Sequence, residues 1–204
     1  MNEQLENLRE IRSLMERSTK FMSLSGLSGI AAGVSALVGA FAGFQTLSKG
    51  GIYNANVVVF QENFLYLSFI AIATIALAAF SGIYFTVAKA KKQGLQVWNE
   101  SSKNLILSFA IPFLTGGIFC LGLVYNGQFN LCFSAMLIFY GLAVVNTAKF
   151  TVRDVYYLGI SEIILGLIAL FLQKYNFLFW VLGFGVLHIL YGTLMYYKYD
   201  RANN

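Results

Sequence analysis

Glu162 and His188 are the residues most able to do chemistry in this chain, because they stand well inside apolar runs, where an ionisable group is costly and needs a reason. They occupy neighbouring runs, Tyr156–Leu172 and Phe177–Tyr197, joined at Gln173–Asn176. Counted at about 1.5 Å per residue from the basic ends of those runs, Glu162 lies roughly 10 Å deep and His188 roughly 13 Å deep. Antiparallel helices can therefore bring the two together. Ser28, Ser81, Pro112, Tyr140 and Tyr191 fall at a similar depth. Pro112 has no amide hydrogen, which frees the carbonyl of Ser108 as a further polar group at that level. Two readings follow from these seven positions. One is a polar pocket in which Glu162 and His188 share or relay a proton, sensing pH or coupling proton movement to a solute. The other is an interhelical hydrogen bond that only fixes packing; short of either, the two groups snorkel toward the lipid surface or stay unpaired.

Enzymatic readings lack parts. The chain has one histidine and no HExxH, GxSxG or acidic cluster, so neither a metal centre nor a nucleophilic triad can be assembled. A haem with two histidine ligands would need a second histidine. No cofactor and no metal are expected, and a non-enzymatic protein is. Cys120 and Cys132 flank one short turn and read either as buried thiols or as a disulfide.

Six apolar runs must position these residues: Phe21–Thr46, Phe64–Val87, Leu105–Tyr125, Leu131–Ala148, Tyr156–Leu172 and Phe177–Tyr197. Each can cross a hydrocarbon layer of roughly 30 Å, allowing for tilt. Of 204 residues 58% are hydrophobic and 11% charged, against about 25% charged in an ordinary soluble domain. The expected fold is therefore an all-α integral membrane bundle of six transmembrane helices. The net charge of +5 does not indicate nucleic acid, because the basic residues flank apolar runs instead of forming a patch. Arg9, Arg12, Arg17, Lys20, Lys89, Lys91, Lys92, Lys103, Lys149, Arg153, Lys198 and Arg201 fall on one side, and only Lys49 and Lys174 on the other. The positive-inside rule then predicts that both termini are cytoplasmic.

Residues 1–20 predict a cytosolic amphipathic helix, with Leu5, Leu8, Ile11, Leu14 and Met15 on one face and balanced charges on the other. The even charge and the lack of aromatics before Phe21 favour a protein surface over lipid as its counterpart. Leu5, Leu8, Ile11 and Met15, with Lys91 and Lys92 of the neighbouring loop, form the expected partner-binding surface. The partner is a cytosolic protein, or a second copy of this chain in a homo-oligomer. Anionic lipid is a further taker for those lysines. The outer segment Leu47–Asn63 carries an apolar patch at Val57–Phe60 and reads as a solvated loop or a fold-back onto the membrane surface.

A weak internal repeat divides residues 21–204 into hairpins 21–88, 105–148 and 155–197. Segments Gly26–Leu37, Ala110–Leu121 and Gly159–Leu170 align without gaps, superposing Gly33, Gly117 and Gly166, and also Ser28, Pro112 and Ser161. In that alignment Glu162 takes the place of Gly29 and Phe113. Phrases such as ILGLIAL make the chain resemble, loosely, the HdeD-like bacterial membrane proteins built from two-helix repeats. The stretch Met15–Gly29, MERSTKFMSLSGLSG, is similar to the start of uncharacterised bacterial six-span proteins. That likeness implies a bacterial inner membrane and supplies no activity. Two functions are carried forward: a sensory or regulatory membrane protein that binds a partner, and a small proton-coupled transporter or channel. A structural subunit of a membrane complex is a third.

Overall fold

A computed structural model describes residues 24–47 and 62–201, and among them every regular element is helical. The amphipathic helix expected at 1–20, with its partner-binding residues Leu5, Leu8, Ile11 and Met15, lies outside the described residues, as does the patch at 57–60. Among the described residues six helices are long and apolar enough to cross a membrane. They are α1 (Gly26–Leu47), α2 (Phe64–Lys92), α3 (Glu100–Tyr125), α4 (Phe129–Thr147), α5 (Asp154–Phe171) and α6. Helix α6 runs continuously through an α-helical start (Asn176–Trp180), a π-helical stretch (Val181–Leu187), an α-helical stretch (His188–Met195) and a π-helical end (Tyr196–Asp200).

Helix is the form in which a lone segment satisfies its own backbone in lipid. The hydroxyls of Ser35, Thr74, Thr115, Ser161 and Thr193 each donate to the carbonyl four residues back, so they too add no unpaired group. The second and third helices extend further toward each other than hydropathy alone indicates, ending at Lys92 and starting at Glu100. Local chemistry sets both limits. Gly94 takes a positive φ of 65°, and Leu95 N–H bonds the Ala90 carbonyl at 2.9 Å in a Schellman-type stop. Asn99 then opens α3 through reciprocal bonds with Ser102, 2.9 Å in each direction. Gly127, with φ 72°, ends α3 in the same way as Gly94 ends α2.

Helices α1 and α2 pack together on one side, and α3, α4 and α5 on the other; α6 packs against α1, α4 and α5 and joins the two sides. The tightest approaches are backbone to backbone. A Cβ on Gly141 of α4 would lie 2.6 Å from the Gly159 carbonyl of α5, and one on Gly192 of α6 would lie 2.7 Å from the Gly26 carbonyl of α1. Small residues thus let α4 meet α5 and α6 meet α1 at distances no side chain would allow. Helix α2 has no buried residue in its apolar span and presents Leu65, Phe69, Ile72 and Phe80 outward. In a bilayer that is a lipid-facing surface, not an exposed liability.

Lys89, Lys91, Lys92, Lys103, Lys149, Arg153, Lys198 and Arg201 belong to the helix ends and turns at one end of the bundle, hereafter the lysine-rich end. Lys91 is exposed, and Lys92 closes α2 beside it. At the opposite end Asn176 is buried, donating to the Asn130 carbonyl at 2.7 Å and accepting from Ser134 at 3.4 Å, which ties the start of α6 to α4. Cys120 and Cys132 are free, buried thiols facing across α3 and α4, each sulfur 3.9 or 3.7 Å from the other residue's carbonyl oxygen.

Candidate functional site

Three helices converge on His188. Glu162 reaches it from α5, on the face that also carries Gly159 and Gly166; those glycines pack against Val145 and Ile138 of α4. Tyr140 reaches it from α4. His188 sits where the π-helical stretch of α6 returns to α-helix. The Tyr140 hydroxyl and His188 Nε2 are 2.7 Å apart, His188 Nδ1 and the Gly183 carbonyl oxygen 3.0 Å, and His188 Nδ1 and Glu162 Oε1 3.4 Å. Glu162 is 0% exposed and His188 5%.

The tautomer follows from these partners. A carbonyl oxygen only accepts, so Nδ1 carries a proton and donates it to Gly183. Nε2 of the neutral ring is then bare and accepts from the Tyr140 hydroxyl; in the imidazolium, Nε2 donates and Tyr140 accepts. Glu162 has no comparable support. Among the described residues no donor hydrogen-bonds either of its oxygens, and the imidazole is the ring that faces it, Nδ1 lying 3.4 Å from Oε1. A Cβ at Gly183 would lie 2.5 Å from Glu162 Oε2, so glycine is the residue that leaves room for the carboxyl.

One added proton therefore has two places to sit, the Glu162 carboxylate or Nε2 of His188, because Nδ1 already carries its own in the neutral ring. With that proton on either Glu162 or the imidazole the pair is neutral overall; without it, a net negative charge is enclosed in apolar packing. Enclosing an unpaired charge is costly, so gain or loss of the proton is an event the surrounding helices must accommodate. Tyr140 can relay at the other ring nitrogen.

An aromatic column adjoins the triad. Trp180, Phe184 and His188 recur every four residues along α6, with ring centroids 5.1 Å apart for the first pair and 5.9 Å for the second. Tyr140 packs against Phe184 at 5.0 Å and against Phe109 of α3 at 5.9 Å. The Trp180 indole N–H is buried with no acceptor among the described residues.

The other positions singled out in the sequence stand apart from the triad. Ser28 lies in the first turn of α1 and donates to the Ser25 carbonyl, and Ser81 donates to Ala78 of its own helix, α2. Pro112 is half-buried in α3, and the carbonyl it frees, Ser108, accepts from the Asn146 amide of α4 at 2.9 Å. Tyr191 is half-buried on α6, three residues beyond His188. Among the described residues no hydrogen bond joins any of these four to Glu162, His188 or Tyr140.

Sequence reasoning missed a second polar assembly, at the lysine-rich end. Asp200, in the last turn of α6, ion-pairs with Lys89 of α2 at 2.7 Å. Its other carboxylate oxygen accepts from the Ser25 hydroxyl at 3.0 Å and from the Gly26 amide at 2.9 Å, capping the N-terminus of α1. The Lys89 ammonium also donates to the Leu24 carbonyl at 2.9 Å. Beside it, Lys198 meets both oxygens of Asp154 on α5 at 3.1 and 2.8 Å, and Tyr199 also donates to that carboxylate. The signal in the sequence was an acid at the start of one run and a Lys-Tyr-Asp triplet at the end of the next. No protein-family model, no curated protein and no solved structure matches this chain.

Proposed function

We propose that this chain is a non-enzymatic, multi-pass membrane protein of sensory or regulatory type, whose bundle responds to protonation at Glu162 and His188 and whose cytosolic face binds a protein partner. The observation that carries the reading is Glu162: fully enclosed, hydrogen-bonded through neither oxygen among the described residues, and 3.4 Å from the imidazole. A group that serves packing alone is ordinarily satisfied, whereas intramembrane ionisable groups with an unfilled partner shell mark proton and ligand sites. The positive-inside distribution supports a bacterial inner membrane orientation with both termini in the cytoplasm. The amphipathic pattern of residues 1–20 and exposed Lys91, with Lys92 beside it, supply the partner surface. The three-hairpin repeat belongs to this reading as its origin. Deleting residues 1–17 should abolish capture of the partner from native membranes while the bundle still folds, and Glu162→Gln should remove the pH dependence of capture. Recovery of the same partners with and without the deletion sinks the reading.

A second reading, a small proton-coupled transporter, is favoured by the architecture of α6. Among the described residues it packs against α1 on one side and against α4 and α5 on the other, and it is π-helical immediately before His188. π-Helical turns occur disproportionately at functional sites. In liposomes, Glu162→Gln and His188→Ala should then change pH-dependent solute flux. Equal flux in the parent and both variants rules transport out.

A further inference from the structure

We infer that the last turn of α6 is a clasp that transmits the protonation state of Glu162 and His188 to the point where the N-terminal segment enters the membrane. This rests on the reading of those two residues as a proton-responsive site. Three observations carry it. First, His188 and the clasp belong to the same helix: the regular stretch His188–Met195 leads directly into the π-helical end Tyr196–Asp200, which carries the clasp residues. The distance is roughly 18 Å along the axis, short enough for one rigid element to span. Second, α6 packs against both sides of the bundle, and its terminal residues fasten each of them: Asp200 to Lys89 of α2 and to Ser25 and Gly26 of α1, and Lys198 with Tyr199 to Asp154 of α5. Third, π-helical segments flank that stretch, Val181–Leu187 just before His188 and Tyr196–Asp200 carrying the clasp itself, so a change of winding at the first turns His188 and everything beyond it about the axis.

The starting event is local. His188 Nδ1 donates to the Gly183 carbonyl inside the first π-helical stretch, and Glu162 competes for the same N–H from 3.4 Å away. When Glu162 is ionised the N–H is drawn to the carboxylate; when it is protonated the N–H is released to Gly183. That choice bears on the winding of α6. The downstream result is a change in how Asp200 holds the α1 N-terminus, five residues after the predicted amphipathic helix ends. Among the described residues Tyr140 is the further titratable group facing Glu162 and His188. Lys89 is the charged group facing Asp200, and Lys198 and Tyr199 face Asp154.

Linkage makes this testable from either end, because a clasp that reads the site must also act back on it. The measurement is an infrared titration of the Glu162 carboxyl band in full-length protein in lipid vesicles, identified by its loss in Glu162→Gln. Asp200→Asn and Lys89→Gln each open the clasp but change charge in opposite senses. Coupling through the clasp shifts the Glu162 midpoint in the same direction in both, by about half a pH unit or more, or roughly threefold in proton affinity. A direct field effect shifts it in opposite directions and overturns the inference. Ser25→Ala, a milder lesion, should give a smaller shift of the same sign and covers the case in which a charge variant fails to fold. Lys91→Gln, an exposed charge at the same end, should leave the midpoint in place; a shift equal to that of Lys89→Gln also overturns the inference. Unchanged midpoints in all clasp variants, with a titrating parent band, overturn the clasp and leave the proton site standing. Absence of any titrating band in the parent overturns both.

Discussion

The cost of enclosing a carboxylate decides what the residues at the centre of the bundle must do. His188→Ala leaves Glu162 without the imidazole beside it, and where the carboxylate is ionised this leaves a buried charge unpaired, a loss that reaches about 3–5 kcal/mol. Glu162→Gln keeps the shape and removes the charge, so it should stay within about 1 kcal/mol of the parent, in the range of interhelical hydrogen bonds in lipid. The double variant should then recover most of the stability lost in His188→Ala, and a thermal denaturation cycle in detergent measures the coupling. Tyr140→Phe loses one hydrogen bond to Nε2 and should cost about 0.6 kcal/mol and no more than about 1.7. At this scale the sequence disclosed Glu162 and His188, because an acid and a histidine inside apolar runs stand out by type. Tyr140 emerged only as one of several residues at the same depth; one coordinate per residue cannot separate it from Ser28, Ser81 or Tyr191, which differ in azimuth and in helix. Gly183 was invisible, since its role is the absence of a Cβ beside Glu162.

Among elements, the contacts that matter run between the expected hairpins. Gly141 and Gly159 bring α4 against α5 across the boundary of the second and third units, and Gly26, Gly29 and Gly192 bring α1 against α6. Gly141→Ala would place a methyl 2.6 Å from a carbonyl oxygen and should destabilise by about 1–3 kcal/mol through overpacking. Gly117→Ala meets nothing within 4 Å and should be neutral, which makes the pair a controlled comparison by thermal melting. Helix existence was legible from hydropathy alone. Helix ends were less so, because Gly94, Asn99 and Gly127 act through φ and capping bonds that a hydropathy window averages away. The π-helical stretches of α6 left no mark in the pattern of Gly, Leu and Phe around them.

Taken as a whole, the molecule is two groups of helices bridged by α6, with His188 on the bridge facing Glu162 of α5 and the ionic fastenings at the bridge's lysine-rich end. Charge asymmetry made that end legible in sequence. The fastenings were not, because Asp200 and Lys89 stand 111 positions apart in the numbering and meet only once the helices assemble. Single-cysteine labelling on a background lacking Cys120 and Cys132 should find Lys91 and Arg201 positions reactive from the cytoplasmic face and Lys174 from the opposite one. The most direct measurement is infrared difference spectroscopy of the full chain in lipid vesicles between acid and alkaline pH. The account predicts a protonated-carboxyl band that changes with pH, disappears in Glu162→Gln and moves in Tyr140→Phe. A spectrum without any pH-dependent carboxyl band, or one unchanged by Glu162→Gln, would contradict it.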